Sequence, residues 1–202
     1  RIEVLFDHSL SIPRYLLIHF ITVNQNTEPF LSSALKKIPF DMNSAVFHVS
    51  YPFNIAMAQV SADFYLVVVR ERPIVSATVV ARIHPSLRCP LIHQVLPENI
   101  VKQHRLKRMK HYDQPCIQKP QLACFRDDVH LCLCEQDRQV NCVRFEQNMT
   151  FDCQGSGVCE NGGQCFLDRP VCPTSGSCVC EDCYYGSRCQ FSTKSSSLSL
   201  DI

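Results

Sequence analysis

Two hundred and two residues with 14 cysteines, no tryptophan and a formal net charge of +1 allow one ordinary domain plus one or two small ones. So even a charge balance argues against binding nucleic acid or another polyanion through the global field of the molecule. The longest uninterrupted apolar run, Phe64 to Val69, has six residues, against about 20 for a transmembrane helix, so no span is expected in this stretch.

The chain begins at Arg1 without an initiator Met and without the basic, apolar and small-residue succession of a signal peptide. It reads as a fragment of a longer product. Residues 1–88 contain no cysteine. Runs rich in Val, Ile, Phe and Tyr at Arg14–Val23, Ala45–Val49, Ile55–Val60, Phe64–Val69 and Ile74–Ile83 are separated by Pro13, Pro29, Pro39, Pro52, Pro73 and Pro85. Strand-length apolar runs cut by proline predict a β-rich domain over 1–88. The continuous run Leu66 to Val69 predicts a strand buried on both faces. The start looks cut through, so this domain is expected to be incomplete.

Leu96 to Tyr112 predicts a helix. Pro97 and Glu98 suit its start, and Lys107, Arg108, Lys110 and His111 suit its negative end. Leu96, Ile100, Leu106 and Met109 would supply an apolar stripe. A basic patch for anionic glycans or lipid heads is one reading. A solvated connector helix with complementary charges is the commoner meaning of such a stretch, and it is the reading taken here.

All 14 cysteines fall between Cys89 and Cys189. That density points to secretory-pathway cargo or to a zinc protein. Structural zinc usually takes Cys-x₂₋₄-Cys, often with His. Cys132-x-Cys134 and Cys178-x-Cys180 are spaced differently, and His130 is the only histidine near them, so disulfides are expected and no metal. Residues 113–189 are too poor in long apolar stretches to fold on hydrophobic burial alone. The serine-rich 192–202 reads as a linker.

In the C-terminal set Cys153, Cys159, Cys165, Cys178, Cys180 and Cys189, five residues separate the first pair and five the second. Asn161-Gly162-Gly163 supplies positive-φ positions for a tight turn, and Gly186 turns the chain back to Cys189. Six cysteines allow fifteen pairings, and spacing alone does not choose among them.

The run Cys159-Glu-Asn-Gly-Gly-Gln-Cys165, the pair Cys178-Val-Cys180 and the ending Tyr185-Gly-Ser-Arg-Cys189 closely resemble the EGF-like family. The resemblance covers about a fifth of the chain and implies a module over 148–191 with the pairs Cys153–Cys165, Cys159–Cys178 and Cys180–Cys189. Cys172 and Cys183 are additional to the family's six and are expected to pair with each other. Upstream, Cys89, Cys116, Cys124, Cys132, Cys134 and Cys142 repeat the rhythm, so 89–147 reads as a degenerate EGF-like segment. By the same logic its pairs would be Cys89–Cys124, Cys116–Cys132 and Cys134–Cys142. The fold class expected is therefore mainly β, a β-rich N-terminal domain followed by small disulfide-stapled EGF-like modules.

The stretch from Lys37-Ile38-Pro39-Phe40 through Tyr51-Pro52-Phe53, with Asn148 through Lys194 and Ser197 to Asp201, is similar to large invertebrate multi-module surface proteins. Those continue into a seven-helix rhodopsin-like membrane domain. The resemblance implies that Ile202 lies just before the membrane.

Asn148-Met149-Thr150 is an N-glycosylation sequon. Calcium-binding EGF-like modules carry several acidic ligands just before the first cysteine, whereas Asp152 is the only carboxylate in 148–152, so no calcium and no other cofactor is expected. The eight histidines, His8, His19, His48, His84, His93, His104, His111 and His130, are scattered, and no nucleophile or metalloprotease motif accompanies them. His48 reads as a solvent-face residue. The functional expectation is a non-catalytic ectodomain fragment of a membrane receptor. It would serve adhesion, ligand binding or spacing at the extracellular face of the plasma membrane. Its partner would be a protein or glycan, not nucleic acid, and it would meet the membrane only through sequence outside this fragment. The alternative is a secreted hydrolase carrying EGF-like modules, with its catalytic part outside this fragment or in residues 1–88.

Overall fold

The computed structural model describes residues 1–23, 28–39, 41–74, 78–145, 153, 157–168, 173 and 175–193. The chain is mainly β and divides into two compact units, Arg1–Gln147 and Asn148–Ile202.

The first unit is built in layers. Strands β1 (Ile2–Phe6), β4 (Ser44–Phe47) and β7 (Val79–Ile83) form one sheet in the order β4-β1-β7, with β1 and β7 parallel. Strands β2 (Tyr15–Thr22), β3 (Phe30–Lys37), β5 (Phe53–Val60) and β6 (Asp63–Ile74) form an antiparallel sheet in the order β3-β2-β5-β6. Alternation along a strand sends successive side chains to opposite faces. Leu16, Ile18 and Phe20 of β2, with Ala56 and Ala58 of β5, therefore meet Ile2, Val4 and Phe6 of β1 in one core. Ile21, Ile55 and Met57, with Phe64 and Leu66 of β6, point the other way into a second core.

That second core crosses the boundary expected at residue 88. It is completed by Cys89, Cys124, Leu131 and Phe145. The backbone is continuous across the same point. Tyr65 bridges to Arg88, and the Cys89 N–H donates to the Phe64 carbonyl at 2.8 Å. Residues 89–147 are thus not a separate module but the covering layer of the preceding sheet. The reason is physical: strands with apolar residues on both faces need a partner on each.

The covering layer is an antiparallel sheet of β8 (Cys124–Arg126), β9 (His130–Cys134) and β10 (Val140–Arg144), in the order β10-β9-β8. One face carries Cys124, Leu131, Leu133 and Val143 toward the second core. The other carries Phe125, Cys132, Cys134, Val140 and Cys142 toward a third core with Ile92, Val95, Leu96, Tyr112 and Cys116.

The continuous helix expected over Leu96–Tyr112 is broken. Short α1 (Glu98–Val101) begins after Pro97, and α2 (Arg105–Arg108) runs into a 3-10 turn at Met109–His111. α3 (Asp113–Gln118) follows. The interruption at 102–104 divides the expected apolar stripe: Leu96 is buried, while Leu106 is 66% exposed. Burial on both faces falls most fully on β2 and β5, the inner strands. In the run Leu66–Val69, Val69 reaches solvent because a register shift in the β5–β6 ladder breaks the alternation there. Strands β1 and β3 were not among the runs read from the sequence.

The second unit holds two small antiparallel pairs, β11 (Gln164–Leu167) with β12 (Gly176–Val179) and β13 (Tyr184–Tyr185) with β14 (Phe191–Ser192). Asn161 and Gly162 both adopt positive φ, at 52° and 75°. The turn they make is held by the Asn161 amide donating to the Cys189 carbonyl at 2.8 Å. A Cβ at Gly163 would sit 2.7 Å from the Cys189 sulfur, so the turn packs against the disulfide itself. Among the described residues of this unit Cys189 alone is buried. Tyr185 is half exposed and lies 5.4 Å from Phe191, ring to ring.

Candidate functional site

Six disulfides close among the described residues. In the second unit they join Cys153 to Cys165, Cys159 to Cys178 and Cys180 to Cys189. These are the pairs that the EGF-like resemblance implies. Cys165 and Cys178 face each other across β11–β12, yet each is bonded elsewhere.

In the first unit Cys89 is bonded to Cys124. The other two expected pairs are exchanged: the bonds are Cys116–Cys134 and Cys132–Cys142. Register explains the correction. Cys142 stands directly opposite Cys132 in the β9–β10 ladder, and Cys134 stands opposite Val140. Cross-strand neighbours are close enough to bond, which leaves Cys134, on the same face, to take Cys116 from α3. Cys183 is a free, exposed thiol, so the expected Cys172–Cys183 bond is not formed; Cys172 lies outside the described residues.

Both members of each Cys-x-Cys pair are bonded, so neither pair offers a thiolate to zinc. Disulfides at this density mark a chain that folds and works in an oxidising, extracellular setting. Among the described residues no helix is long and apolar enough to cross a membrane. Asn148 of the sequon, the run 148–152 before the first cysteine of the module, and residues 194–202 of the expected linker lie outside the described residues.

The most constrained polar cluster joins the helical segment to the β8–β9 turn. Asp127 is fully buried and accepts from the backbone N–H of Val129 at 2.8 Å and of His130 at 2.6 Å. The Tyr112 hydroxyl donates to its other oxygen. The Arg108 guanidinium donates to Tyr112 Oη at 3.1 Å and to the Val101 carbonyl at 3.2 Å, and lies 3.5 Å from Asp127. Burial pushes the Tyr112 hydroxyl up to about 12, reinforced by the carboxylate beside it. For Asp127 burial alone would raise the carboxyl. The hydrogen bonds from Tyr112, Val129 and His130, with the charge of His130, outweigh it and hold the group below the usual carboxylate range.

The hydrogen bonds of this cluster run between its members or to the backbone, with exposed Asp128 4.0 Å from the guanidinium, so it works as a clamp. Its members were not picked out in the sequence. Arg108 read there as one of several outward cations, and only the pairing of α2 with a buried aspartate distinguishes it.

With Arg108 and Tyr112 turned inward, the other side chains of 102–110 stay at the surface. His104, Arg105, Leu106, Lys107, Met109 and Lys110 are all exposed. Lys102 pairs with Glu98 at 2.6 Å. Among the described residues no side-chain hydrogen bond or ion pair engages Arg105, Lys107 or Lys110.

A concavity of about 710 Å³ has apolar walls that include Val23, Ile55, Leu66, Leu133 and Val143, with Arg70 and exposed Glu71, Glu135 and Asp137 among its polar lining. Its buried amide, Asn54, is consumed by the fold. It accepts from the Val23 N–H and donates to the Arg70 and Glu71 carbonyls.

Of the histidines, His8, His48, His84, His93 and His104 are exposed. His19 is buried between Ser33 Oγ at 2.8 Å and Gln59 Oε1 at 3.0 Å, its ring against Phe64 and Phe145. Burial lowers its pKa to about 4, against the opposing pull of the Gln59 hydrogen bond, so at neutral pH it is an uncharged core residue.

Compared with protein-family models, with curated proteins and with solved structures, the chain matches none.

Proposed function

We propose that this chain is a non-catalytic extracellular fragment of a membrane receptor that carries an EGF-like module, and that it serves adhesion, ligand binding or spacing. The observation that carries the reading is the bonding of the second unit. The first cysteine is joined to the third, the second to the fourth and the fifth to the sixth. The pattern fits EGF-like modules, and such modules present surfaces and set distances outside cells. The layered first unit suits the same role, since its buried polar groups are spent on structure, His19 in a core and Asp127 in a clamp.

The test is the product of the full-length transcript. Seven apolar segments of about 20 residues each after Ile202, with surface biotinylation of intact cells reaching this region, would support the receptor. A catalytic domain encoded beside it, in a product released to the medium, would overturn the receptor reading in favour of the secreted hydrolase.

A further inference from the structure

We propose that the exposed face of residues 102–111 binds a sulfated glycan chain, with Arg105, Lys107 and Lys110 contacting the sulfates. The inference deepens the reading above by naming the ligand class. It rests on the extracellular setting given by the disulfides and not on the receptor assignment.

Charge complementarity is the first argument. Within this stretch Lys102 is matched by Glu98, and Arg108 by Asp127 and the exposed Asp128. Arg105, Lys107 and Lys110 project from one short helical stretch with no carboxylate bonded to them among the described residues. Unpaired exposed cations at this spacing raise the local potential even where the net charge of the chain is only +1. The interaction would act at short range and weaken with salt.

Preorganisation is the second argument. Arg108 and Tyr112 fix the stretch to buried Asp127, so the three cations are presented from a backbone already held in place. Less freedom is then lost on binding. The guanidinium of Arg105 adds a planar fork that can give two parallel hydrogen bonds to a sulfate.

The apolar content decides between a glycan and an anionic lipid surface. An interfacial helix needs a continuous apolar face sunk into the acyl boundary. Here the inward face is spent on the clamp, and the helix α2 is four residues long. Leu106 and Met109 are the exposed apolar side chains of this stretch. Two such side chains can lie against the carbon faces of sugar rings but cannot anchor a membrane.

The experiment uses the whole oxidised chain and immobilised heparin, read by surface plasmon resonance across a salt series. The variant Arg105→Ala/Lys107→Ala/Lys110→Ala is compared with Lys37→Ala/Arg72→Ala/Arg82→Ala, which loses the same charge elsewhere. Circular dichroism and a thermal melt establish that both are folded. Binding by the wild type that weakens about tenfold in the first variant and less than about twofold in the second is expected. Equal loss in both variants, full binding by the first, undiminished binding to desulfated heparin, or no binding by the wild type would each overturn the proposal. So would binding to vesicles of phosphatidylserine and phosphatidylcholine through the same three residues in place of heparin.

Discussion

The hydroxyl of Tyr112 donates to the carboxylate of Asp127, and both side chains are closed off from solvent. With Arg108 beside them, an ion pair is buried in an arrangement where the three groups bond one another. Removing one partner should therefore cost more than the pair contributes. Asp127→Ala is expected to lower unfolding stability by about 3 kcal/mol, because it leaves the largely buried guanidinium with only the exposed Asp128 carboxylate, 4.0 Å away. Tyr112→Phe should cost about 1–2 kcal/mol. The double variant should lose less than the sum, a coupling that denaturant unfolding and a double-mutant cycle would measure.

Acid should weaken the first unit in two windows. His19 has a folded pKa of about 4 against an ordinary 6.5. The folded state thus binds fewer protons than the unfolded one between those values, and stability falls as pH drops from 6.5 toward 4. The loss amounts to about 3 kcal/mol once both values are passed. Asp127, whose pKa is depressed, contributes stability above the ordinary carboxylate range that is lost as pH falls through its lowered folded value. Unfolding curves at stepped pH should show the first slope in the wild type and a flatter one in His19→Gln.

Mass spectrometry of unreduced peptides should find Cys116 linked to Cys134 and Cys132 linked to Cys142. Alkylation before reduction should label Cys183. Recovery of a Cys134–Cys142 peptide, or of Cys183 bonded to Cys172, would contradict the structure described above.

In the second unit, replacing Cys180 and Cys189 by Ala should remove the buried Cys189 sulfur and abolish protease resistance, since a native bridge in a small secreted domain contributes about 2–5 kcal/mol. Gly163→Ala should act in the same direction, because its methyl group would stand 2.7 Å from the Cys189 sulfur. Limited proteolysis that leaves residues 157–193 intact in either variant would refute this account.

Stopping the chain at residue 88 should expose Ile21, Ile55, Met57, Phe64 and Leu66 together. Such a product is expected to aggregate or bind apolar dyes, whereas a chain ending at residue 147 keeps the covering sheet. Size-exclusion chromatography of the two would separate these outcomes.

Periodicity made β2, β4, β5, β6 and β7 legible, because apolar runs bounded by proline have few other meanings. It did not reveal β3, where Ser32, Ser33, Lys36 and Lys37 dilute the signal. The change in composition at Cys89 suggested a boundary that packing removes. Cysteine content reports how a segment is stabilised and not what its apolar face covers. The exchanged pairs have the same root. Spacing orders cysteines along the chain, but only the register of β9 against β10 sets Cys142 opposite Cys132. Arg108 was illegible for a related reason, since a cation that turns inward and one that faces solvent look alike until a buried aspartate is placed nearby. The outward cations of the candidate glycan surface could be read as a patch, though not as unmatched.

Phe145 closes the first unit, wedged edge-on against His19 and Phe64 and tied by its N–H to the Val129 carbonyl. It also lies close to the point where the chain leaves that unit. A mechanical load arriving from downstream would pull on Phe145 first and try to peel β10 from β9. The peel stops at Cys142, where the covalent link to Cys132 takes the tension and passes it into β9, and from Cys134 on to Cys116. Peeling of β10 from β9 is thus confined to the short stretch from Val143 to Phe145 before a bond takes the load.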